Sequence, residues 1–209
     1  MTARDPIRVL MADDHPLIRE GISALVSSQS DMAIVGEASN GMEATAMYEA
    51  LMPDVVLLDL QMPAMGGFEA ITAIKRLKPS ARIIVLTTYE GDHLAGRAIS
   101  LGARAYLLKS AVRRELLNTI RAVFRGQKHI DAKVAENLSH HVGESPLTDR
   151  EAAVLSLIAG GNSNRAVGVA LAITEETVKG YVKNILAKLK AKDRTHAVAL
   201  AIKRGIIEL

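Results

Sequence analysis

Short apolar runs alternate with segments of helical periodicity through the first 125 residues of the chain. Runs of about four to eight apolar, often β-branched residues between helical segments are typical of parallel strands buried on both faces. The pattern predicts strands at 7–12, 33–38, 55–59, 82–87 and 105–108, and helices at 17–27, 41–51, 67–77, 92–100 and 113–125. We therefore expect a doubly wound α/β fold, flavodoxin-like, with a five-stranded parallel sheet of order 2-1-3-4-5.

The pattern changes after residue 125. Residues 126–146 form a weak, polar stretch that predicts an interdomain linker with a short helix at 131–139. From 147 onward the periodicity is helical and predicts a small all-α domain of four helices, the last three at 164–171, 175–189 and 195–204. Thr148 and Glu151 have the spacing of a capping box at the start of the first of these helices. The predicted domains are therefore 1–125 and 147–209, joined by the linker.

Acidic residues follow two of the predicted strands. Asp13 and Asp14 come directly after the first strand, and Asp59 ends the third. In the order 2-1-3-4-5 these strands are neighbours, and ligands of such sheets bind beyond the carboxyl ends of the strands. Clustered carboxylates repel one another unless a cation neutralises them, and a few oxygen ligands plus water suit Mg²⁺. The sequence therefore predicts a magnesium site at this edge.

Two further polar residues end strands at the same edge. Thr87 ends the fourth strand and Lys109 follows the fifth, so both could bind oxygens of a phosphoryl group that Asp59 accepts. Taken singly, each has a plainer interpretation: a strand-ending Asp is more often a turn or cap residue, Lys109 a surface lysine and Thr87 a strand-end hydroxyl. All five polar residues at the ends of four strands are difficult to explain by packing.

Residues 6–125 resemble the receiver domain of response regulators. The motifs that carry the resemblance are Asp13-Asp14, Asp59 followed by Met62-Pro63 and Gly66-Gly67, Thr87, and Ala105-Tyr106-Leu107-Leu108-Lys109. Ser110 departs from the family, which often has proline after the lysine, so a cis peptide bond is not expected there.

The resemblance implies a role for each residue of the site. Asp59 would receive a phosphoryl group from a histidine kinase, with Asp14 ligating Mg²⁺ and Asp13 assisting through water. The backbone carbonyl of Gln61 would complete the metal shell, and Thr87 and Lys109 would hold the phosphoryl oxygens.

Three residues around the site would modulate it, by the same resemblance. Tyr106 would swing inward as Thr87 moves, although a half-buried strand position is an alternative interpretation of this tyrosine. Gln61 and Tyr89 flank the site and would tune dephosphorylation. The protein would then be no conventional enzyme, since it would catalyse only its own phosphoryl transfer and dephosphorylation.

The C-terminal segments have the spacing of a helix-turn-helix. The helix at 164–171, the turn Ala172-Ile173 and the N-cap Thr174 allow the next helix to enter a major groove. Residues 147–209 resemble the LuxR-type helix-turn-helix, and the combination of the two domains is similar to the NarL/FixJ subfamily. The candidate DNA-binding residues are Thr177, Lys179, Tyr181, Lys183, Asn184 and Lys188.

Among these candidates Lys179 and Lys183 share one helix face, and we expect them to contact bases or nearby phosphates. Lys188 would instead contribute to the electrostatic footprint. Gly180 and Tyr181 depart from the family pattern, so the base preference cannot be taken from a relative.

One recognition helix reads few base pairs, and two-fold dimers on paired half-sites are the usual remedy. We expect a homodimer when the protein is phosphorylated, formed through the last helix by Ala197, Val198, Ala201 and Ile202. The alternative is that this stripe closes the core of its own domain.

Composition narrows the choice of partners. The 14 basic and 14 acidic residues of 1–125 cancel, so the formal charge of +3 lies entirely in 126–209. This excess is compatible with duplex DNA binding and equally with a solvated lysine-rich helix face. Aromatic residues make up only 3% of the chain, which disfavours stacking on single strands. Cysteine is absent, which excludes disulfides and thiolate chemistry. Without an apolar signal core or a membrane-length apolar run, a cytoplasmic protein with no membrane partner is expected.

The leading hypothesis is a DNA-binding transcriptional regulator of a two-component phosphorelay, with a sensor kinase and promoter DNA as partners. RNA polymerase is a further candidate partner. One alternative is an aspartyl phosphatase or dehalogenase, but these need a second acid two positions after the nucleophile, where this chain has Gln61. Another is a constitutive DNA-binding protein whose first domain only binds proteins.

Overall fold

The chain forms two compact units in a computed structural model, which describes residues 5–88, 92–130 and 147–207. The N-terminal unit contains a parallel sheet with helices, and the C-terminal unit is helical. No helix in the described residues is long and apolar enough to cross a membrane. Tyr89 and the helix predicted at 131–139 lie outside the described residues.

The N-terminal sheet has six parallel strands in the order β2-β1-β3-β4-β5-β6. The strands are β1 Ile7–Ala12, β2 Met32–Ala38, β3 Val55–Asp59, β4 Ile83–Thr87, β5 Ala105–Leu108 and β6 His129–Ile130. The order 2-1-3-4-5 is confirmed. Strand β3 lies between β1 and β4 with every residue buried, as its uninterrupted apolar run requires.

The sixth strand corrects the predicted count of five and the predicted start of the linker. Gly126, at φ 87°, follows helix α5, and His129–Ile130 then pairs with β5. A strand of two residues is too short to produce a detectable period, so the polar composition of this stretch indicated only a linker. Residues 126–130 therefore belong to the described N-terminal unit.

Helices cover both faces of the sheet. They are α1 Pro16–Ser27, α2 Gly41–Leu51, α3 Gly67–Leu77, α4 Asp92–Ser100 and α5 Val112–Phe124, with a 3₁₀ turn at Lys109–Ala111. All five were predicted, with starts and ends that differ by at most one residue from those observed. Helix α5 buries Leu116, Ile120 and Val123, which recur at helical spacing and face the sheet.

The C-terminal unit contains the four predicted helices, α6 Asp149–Ala159, α7 Asn164–Leu171, α8 Glu175–Leu189 and α9 Arg194–Lys203. Thr148 and Glu151 form the predicted capping box at α6. Thr174 caps α8 by accepting a hydrogen bond from the backbone N–H of Thr177 at 3.1 Å. Val154, Val167 and Val178, one from each of the first three helices, are completely buried and hold the unit together.

Candidate functional site

The carboxyl ends of four strands bring the predicted polar residues to one edge of the sheet. Strand β1 ends at Ala12, and the backbone N–H of Asp13 continues the ladder by donating to Ala38 of β2 at 3.1 Å. Asp59 and Thr87 end β3 and β4 and are buried, and Lys109 directly follows β5. The in-register pairing of β1, β3, β4 and β5 therefore produces the predicted convergence.

Lys109 joins the two buried acids of the pocket. Its Nζ lies 2.6 Å from Asp13 Oδ2 and 2.8 Å from Asp59 Oδ2. Asp13 and Asp59 are 1% and 3% exposed, so water does little to screen either charge. The ammonium therefore holds the two strand ends together in a low-dielectric setting.

Asp14 and His15 extend the cluster toward solvent. Single ligand atoms of Asp13, Asp14, His15 and Asp59 all lie within 4.8 Å of one another. Three carboxylates face the ammonium of Lys109 within this described cluster, so two negative charges remain if His15 is neutral. Oxygen ligands, uncompensated charge and the partly exposed Asp14 fit Mg²⁺, which prefers oxygen and retains water when bound.

Burial and ion pairing have opposite effects on the titration of the pocket. Desolvation raises the pKa of Asp59, and this effect exceeds the hydrogen bonds from Lys109 and from the backbone of Gln61, which lower it. For Lys109, desolvation lowers the pKa, but hydrogen bonds to Asp13 and Asp59 outweigh it and leave the pKa above its usual value. Lys109 therefore stays charged, while the ionised form of the Asp59 carboxyl is disfavoured.

Tyr106 is completely buried on β5, so the alternative of a half-buried position does not hold. Its hydroxyl is hydrogen-bonded to Thr87, and desolvation raises its pKa. The contact joins the last residue of β4 to β5. A phosphoryl oxygen that accepted a hydrogen bond from the Thr87 hydroxyl would therefore lie next to the contact between Thr87 and Tyr106.

The loop after Asp59 is held tightly against the sheet. A Cβ at Gly67 would lie 2.3 Å from the carbonyl oxygen of Asp59, and the N–H of Gly67 donates to Leu60 at 2.9 Å. Ala64 has φ 65°, and the N–H of Met65 donates back to Pro63 at 2.8 Å. This tight three-residue turn is strained for alanine and was not predicted.

Arg19 and His15 were not predicted to belong to the site. Arg19 Nη1 donates to the backbone carbonyl of Asp13 at 2.7 Å, and the backbone N–H of His15 donates to Asp13 Oδ1 at 2.9 Å. His15 Nδ1 also lies 2.6 Å from Asp14 Oδ1. His15 could have been found from its place immediately after an acidic pair at a strand end, and Arg19 from its place one helical turn further along.

Helix α8 displays most of the candidate DNA-binding residues on its outer surface. Thr177, Lys179, Lys183 and Asn184 are exposed. Lys179 Nζ is 3.2 Å from Glu176 Oε2, a surface ion pair that a phosphate could displace at little cost. Tyr181 is half-buried and packs at the edge of the core.

Lys188 is partly buried, unlike the four exposed candidates. Its Nζ is 2.7 Å from Glu151 Oε2, and Glu151 is buried at the start of α6. The structure therefore gives Lys188 an intramolecular partner that was not predicted.

Two glycines shape the helix-turn-helix. A Cβ at Gly168 would lie 2.8 Å from the carbonyl oxygen of Ile173, so its absence lets the turn pack closely on α7. In contrast, a Cβ at Gly180 would have no described atom within 4 Å, other than its own helix backbone and chain neighbours. Gly180 therefore has no packing reason to lack a side chain.

The stripe predicted to form a dimer is divided by the structure. Ala197 and Ala201 are 1% and 0% exposed and belong to the core of their own domain. Val198 and Ile202 are partly buried beside that core. For the two alanines, the structure therefore supports the alternative, because small side chains at these positions let α9 approach the neighbouring helices.

Known proteins match both parts of the chain. Residues 9–121 match the family described as response regulator receiver domain, and residues 145–201 match the family described as bacterial regulatory proteins, luxR family. The chain is similar to transcriptional regulatory protein YdfI of Bacillus subtilis, with 39% identity over 97% of this chain and 98% of that protein. It is also similar to response regulator protein VraR of Staphylococcus aureus, with 38% identity over 97% and 99%.

A solved structure resembles the chain over nearly its whole length. RcsB from Salmonella enterica serovar Typhimurium, bound to promoter P1flhDC in the presence of the phosphomimetic BeF₃⁻, has a TM-score of 0.72 and 26% identity. The match covers 94% of this chain and 98% of that one.

Proposed function

We propose a phosphorylation switch at Asp59 for this chain, which belongs to the response regulators of the NarL/FixJ subfamily and joins a receiver domain to a LuxR-type DNA-binding domain. The chain is a DNA-binding transcriptional regulator of a two-component system. The observation that carries the proposal is the position of the Asp59 carboxylate, 2.8 Å from Lys109 and within reach of Asp13 and Asp14.

Asp59 acts as the nucleophile. An oxygen of its carboxylate attacks phosphorus of a phosphohistidine on the sensor kinase, forming an acyl phosphate as the P–N bond breaks and its electrons return to the imidazole. Lys109 and Thr87 bind phosphoryl oxygens, and Asp13, Asp14, Asp59 and the carbonyl of Gln61 are the groups that would hold Mg²⁺. When bound, Mg²⁺ supplies positive charge that offsets the phosphoryl oxygens.

The same pocket limits the protein to chemistry on itself. Hydrolysis of the acyl phosphate needs only water directed at phosphorus, and Gln61, which follows the nucleophile by two positions, offers no carboxylate as general base. We therefore assign autodephosphorylation, tuned by Gln61 and Tyr89, and no turnover of free phosphoesters.

The strand pairing supports a revised limit for the receiver domain. We place the receiver at 1–130, because β6 completes its sheet, and the DNA-binding domain at 147–209. The intervening residues are the linker. We also place the protein in the cytoplasm, where its promoter DNA is found.

Helix α8 is the recognition helix. Lys179 and Lys183, exposed and four residues apart, contact base edges or adjacent phosphates, with Thr177 and Asn184 beside them. The Tyr181 hydroxyl reaches the phosphate backbone of the DNA from the edge of the core of its own domain. The solved structure of RcsB, a structural neighbour of this chain, is of RcsB bound to promoter DNA.

Phosphorylation promotes a two-fold dimer on paired half-sites. Because Ala197 and Ala201 are buried, the partly exposed Val198 and Ile202 are the residues of the predicted stripe that a second copy would contact. Coupling between the phosphoryl group and dimer formation of about 1–3 kcal/mol would change DNA affinity about 5–150-fold. RNA polymerase is then a partner at the promoter.

Selection of duplexes from a random-sequence pool tests this function. The wild-type chain with Mg²⁺ should enrich a two-half-site sequence with higher affinity in beryllofluoride than without it. Asp59→Ala should retain its fold and lose the beryllofluoride effect.

Each other outcome contradicts the switch. Equal affinity with and without beryllofluoride would indicate constitutive DNA binding. A chain that enriches no sequence but turns over a small phosphoester would instead be an aspartyl phosphatase.

A further inference from the structure

The first turn of helix α6 contacts both helices of the helix-turn-helix through two consecutive residues. Arg150 Nη2 donates a hydrogen bond to the carbonyl oxygen of Leu171, 2.7 Å away, at the C-terminal end of α7. Glu151 accepts a hydrogen bond from Lys188 Nζ, also at 2.7 Å, in the last turn of α8. One helix start is therefore bonded to the ends of both helices that form the DNA-binding motif.

Glu151 is the centre of this arrangement. It is 3% exposed, and its Oε2 accepts hydrogen bonds from the Thr148 backbone N–H at 2.7 Å, the Thr148 hydroxyl at 2.9 Å and Lys188 at 2.7 Å. Burial opposes its ionisation, but the bonds from Lys188 and Thr148 outweigh burial and hold the pKa of the carboxyl below its usual value. A single carboxylate thus caps α6 and pairs with α8.

The ion pair adds a directional restraint that the apolar core does not supply. Val178 and Ile185 set how deeply α8 sits, but apolar contacts are non-directional and tolerate small rotations. A charge-assisted hydrogen bond is short and directional. Rotation of α8 about its axis would displace Lys188 from Glu151 and weaken this bond.

We propose that Glu151 is a positioning residue for DNA recognition, and that Lys188 acts by pairing with Glu151 and does not bind a phosphate. The proposal rests on the assignment of α8 as the recognition helix. Side chains that read bases must project at a fixed angle into the groove. The Glu151–Lys188 pair fixes that angle for Lys179 and Lys183.

A double-mutant cycle separates this role from a phosphate contact. Glu151→Gln removes the charge but keeps a side chain that also serves in capping boxes, so helix α6 should still form. Lys188→Met leaves the buried carboxylate without its ammonium. The affinity of the full chain is measured with Mg²⁺ and beryllofluoride, on the duplex that the wild-type chain selects from a random pool.

The positioning role predicts that the single substitutions each weaken binding about tenfold and are not additive, as expected for side chains in contact. The double variant should bind no more weakly than Lys188→Met. The slope of log affinity against log salt should stay at the wild-type value in Lys188→Met, and Lys188→Arg, which can still pair with Glu151, should restore affinity.

A phosphate contact predicts a different pattern. The salt slope would fall by about 0.9 in Lys188→Met, and the loss would add to that of Glu151→Gln. Lys183→Met is the matched control, because Lys183 is exposed on the same helix and its loss of affinity should add to that of Glu151→Gln. Lys188→Met behaving like Lys183→Met would overturn the proposal.

Folding is measured separately in every variant by circular dichroism and thermal unfolding, with affinity compared well below each midpoint. A merely structural role would lower the midpoint and leave affinity at low temperature unchanged, which would also overturn the proposal. If the wild-type chain selects no duplex, the proposed function of α8 itself is contradicted. If the wild type binds a duplex but the losses of the two substitutions are additive, only the positioning role of Glu151 is contradicted.

Discussion

Two largely buried lysines, one in each unit, contact carboxylates in opposite ways. Lys109 lies 2.6 Å from Asp13 and 2.8 Å from Asp59, beside a third acid, so the described cluster retains negative charge. Lys188 lies 2.7 Å from Glu151, whose remaining hydrogen bonds come from Thr148, so that pair is neutral. The first arrangement needs a further cation, whereas the second is complete.

The difference shows how a chemical site can be told from a structural ion pair. Both carboxylates are buried and both accept a hydrogen bond from a lysine, so burial and pairing alone do not distinguish them. The pKa directions do: that of Asp59 is raised, whereas that of Glu151 is lowered. Lys109 does not fully offset the desolvation of the Asp59 carboxylate, which is typical of candidate chemical sites, whereas Lys188 and Thr148 more than offset that of Glu151.

The largest expected effect is the response to Mg²⁺. At a free concentration about 100 times its Kd, Mg²⁺ should stabilise the N-terminal unit by about 2.7 kcal/mol and leave the C-terminal unit unchanged. Differential scanning calorimetry measures both transitions. Asp14→Ala should lose most of the stabilisation, whereas Asp54→Asn, an acid that instead bonds the backbone of Arg8, should retain it. Equal stabilisation of both units would contradict the difference between the Lys109 cluster and the Lys188–Glu151 pair.

Breaking the neutral pair should have the next largest effect. Lys188→Met leaves the Glu151 carboxylate buried and unpaired, so we expect the C-terminal unit to lose about 2 kcal/mol. The loss is smaller than for a completely buried pair, because the lysine side chain is 26% exposed. Urea denaturation measures it, with exposed Lys183→Met as the control. An unchanged midpoint would mean that the pair is not a structural element.

Removing charge from the pocket should change stability in the opposite direction. Because the pKa of Asp59 is raised, its ionised form is disfavoured in the fold, and its contribution becomes unfavourable as the pH rises above its usual value of 3.8 through the folded value. Asp59→Asn should therefore stabilise the metal-free protein by about 1 kcal/mol at pH 7 and weaken its pH dependence. Thermal unfolding from pH 4 to about pH 8 measures this.

Asp31 supplies the matched control for that experiment. The hydrogen bond from Arg121 lowers its pKa, so its contribution is favourable above its usual value and is lost as the pH falls. Asp31→Asn should therefore destabilise slightly at pH 7. The same sign for both variants would contradict the difference between the pocket and an ordinary ion pair.

The smallest expected effect concerns Gly180 on the recognition helix. A Cβ at Gly180 would have no described atom within 4 Å, other than its own helix backbone and chain neighbours. Gly180→Ala should therefore stabilise the C-terminal unit by about 0.8 kcal/mol through helix propensity. If α8 approaches DNA closely at this point, the stabilised variant should bind the selected duplex more weakly. Unchanged affinity would place Gly180 away from the DNA.

Most of the sheet and the pocket could be predicted because both depend on short-range patterns. Apolar runs predicted the first five strands, and the parallel order then brought Asp59, Thr87 and Lys109 to one edge. The two-residue strand β6 was missed, since so short a segment has no period. The turn at Ala64 was missed because its positive φ occurs at a residue other than glycine or asparagine.

Contacts between helices were beyond the sequence patterns. Periodicity shows which side of α8 is apolar, but Lys188 and Glu151 are separated by 37 positions and their distance depends on how two helices cross. The same limit applies to Ala197 and Ala201, whose small side chains are compatible with a dimer face and with a close-packed core. The packing of α9 decided between the two.

Phosphoryl capture tests the central claim most directly. The full chain is incubated with acetyl phosphate and Mg²⁺, and its intact mass is measured beside that of Asp59→Ala and of the Asp54→Asn control. The wild-type chain and the control should each gain one phosphoryl group, and Asp59→Ala should gain none. Equal modification of Asp59→Ala, or none of the wild type, would contradict the assignment of this acidic pocket as the phosphoryl site.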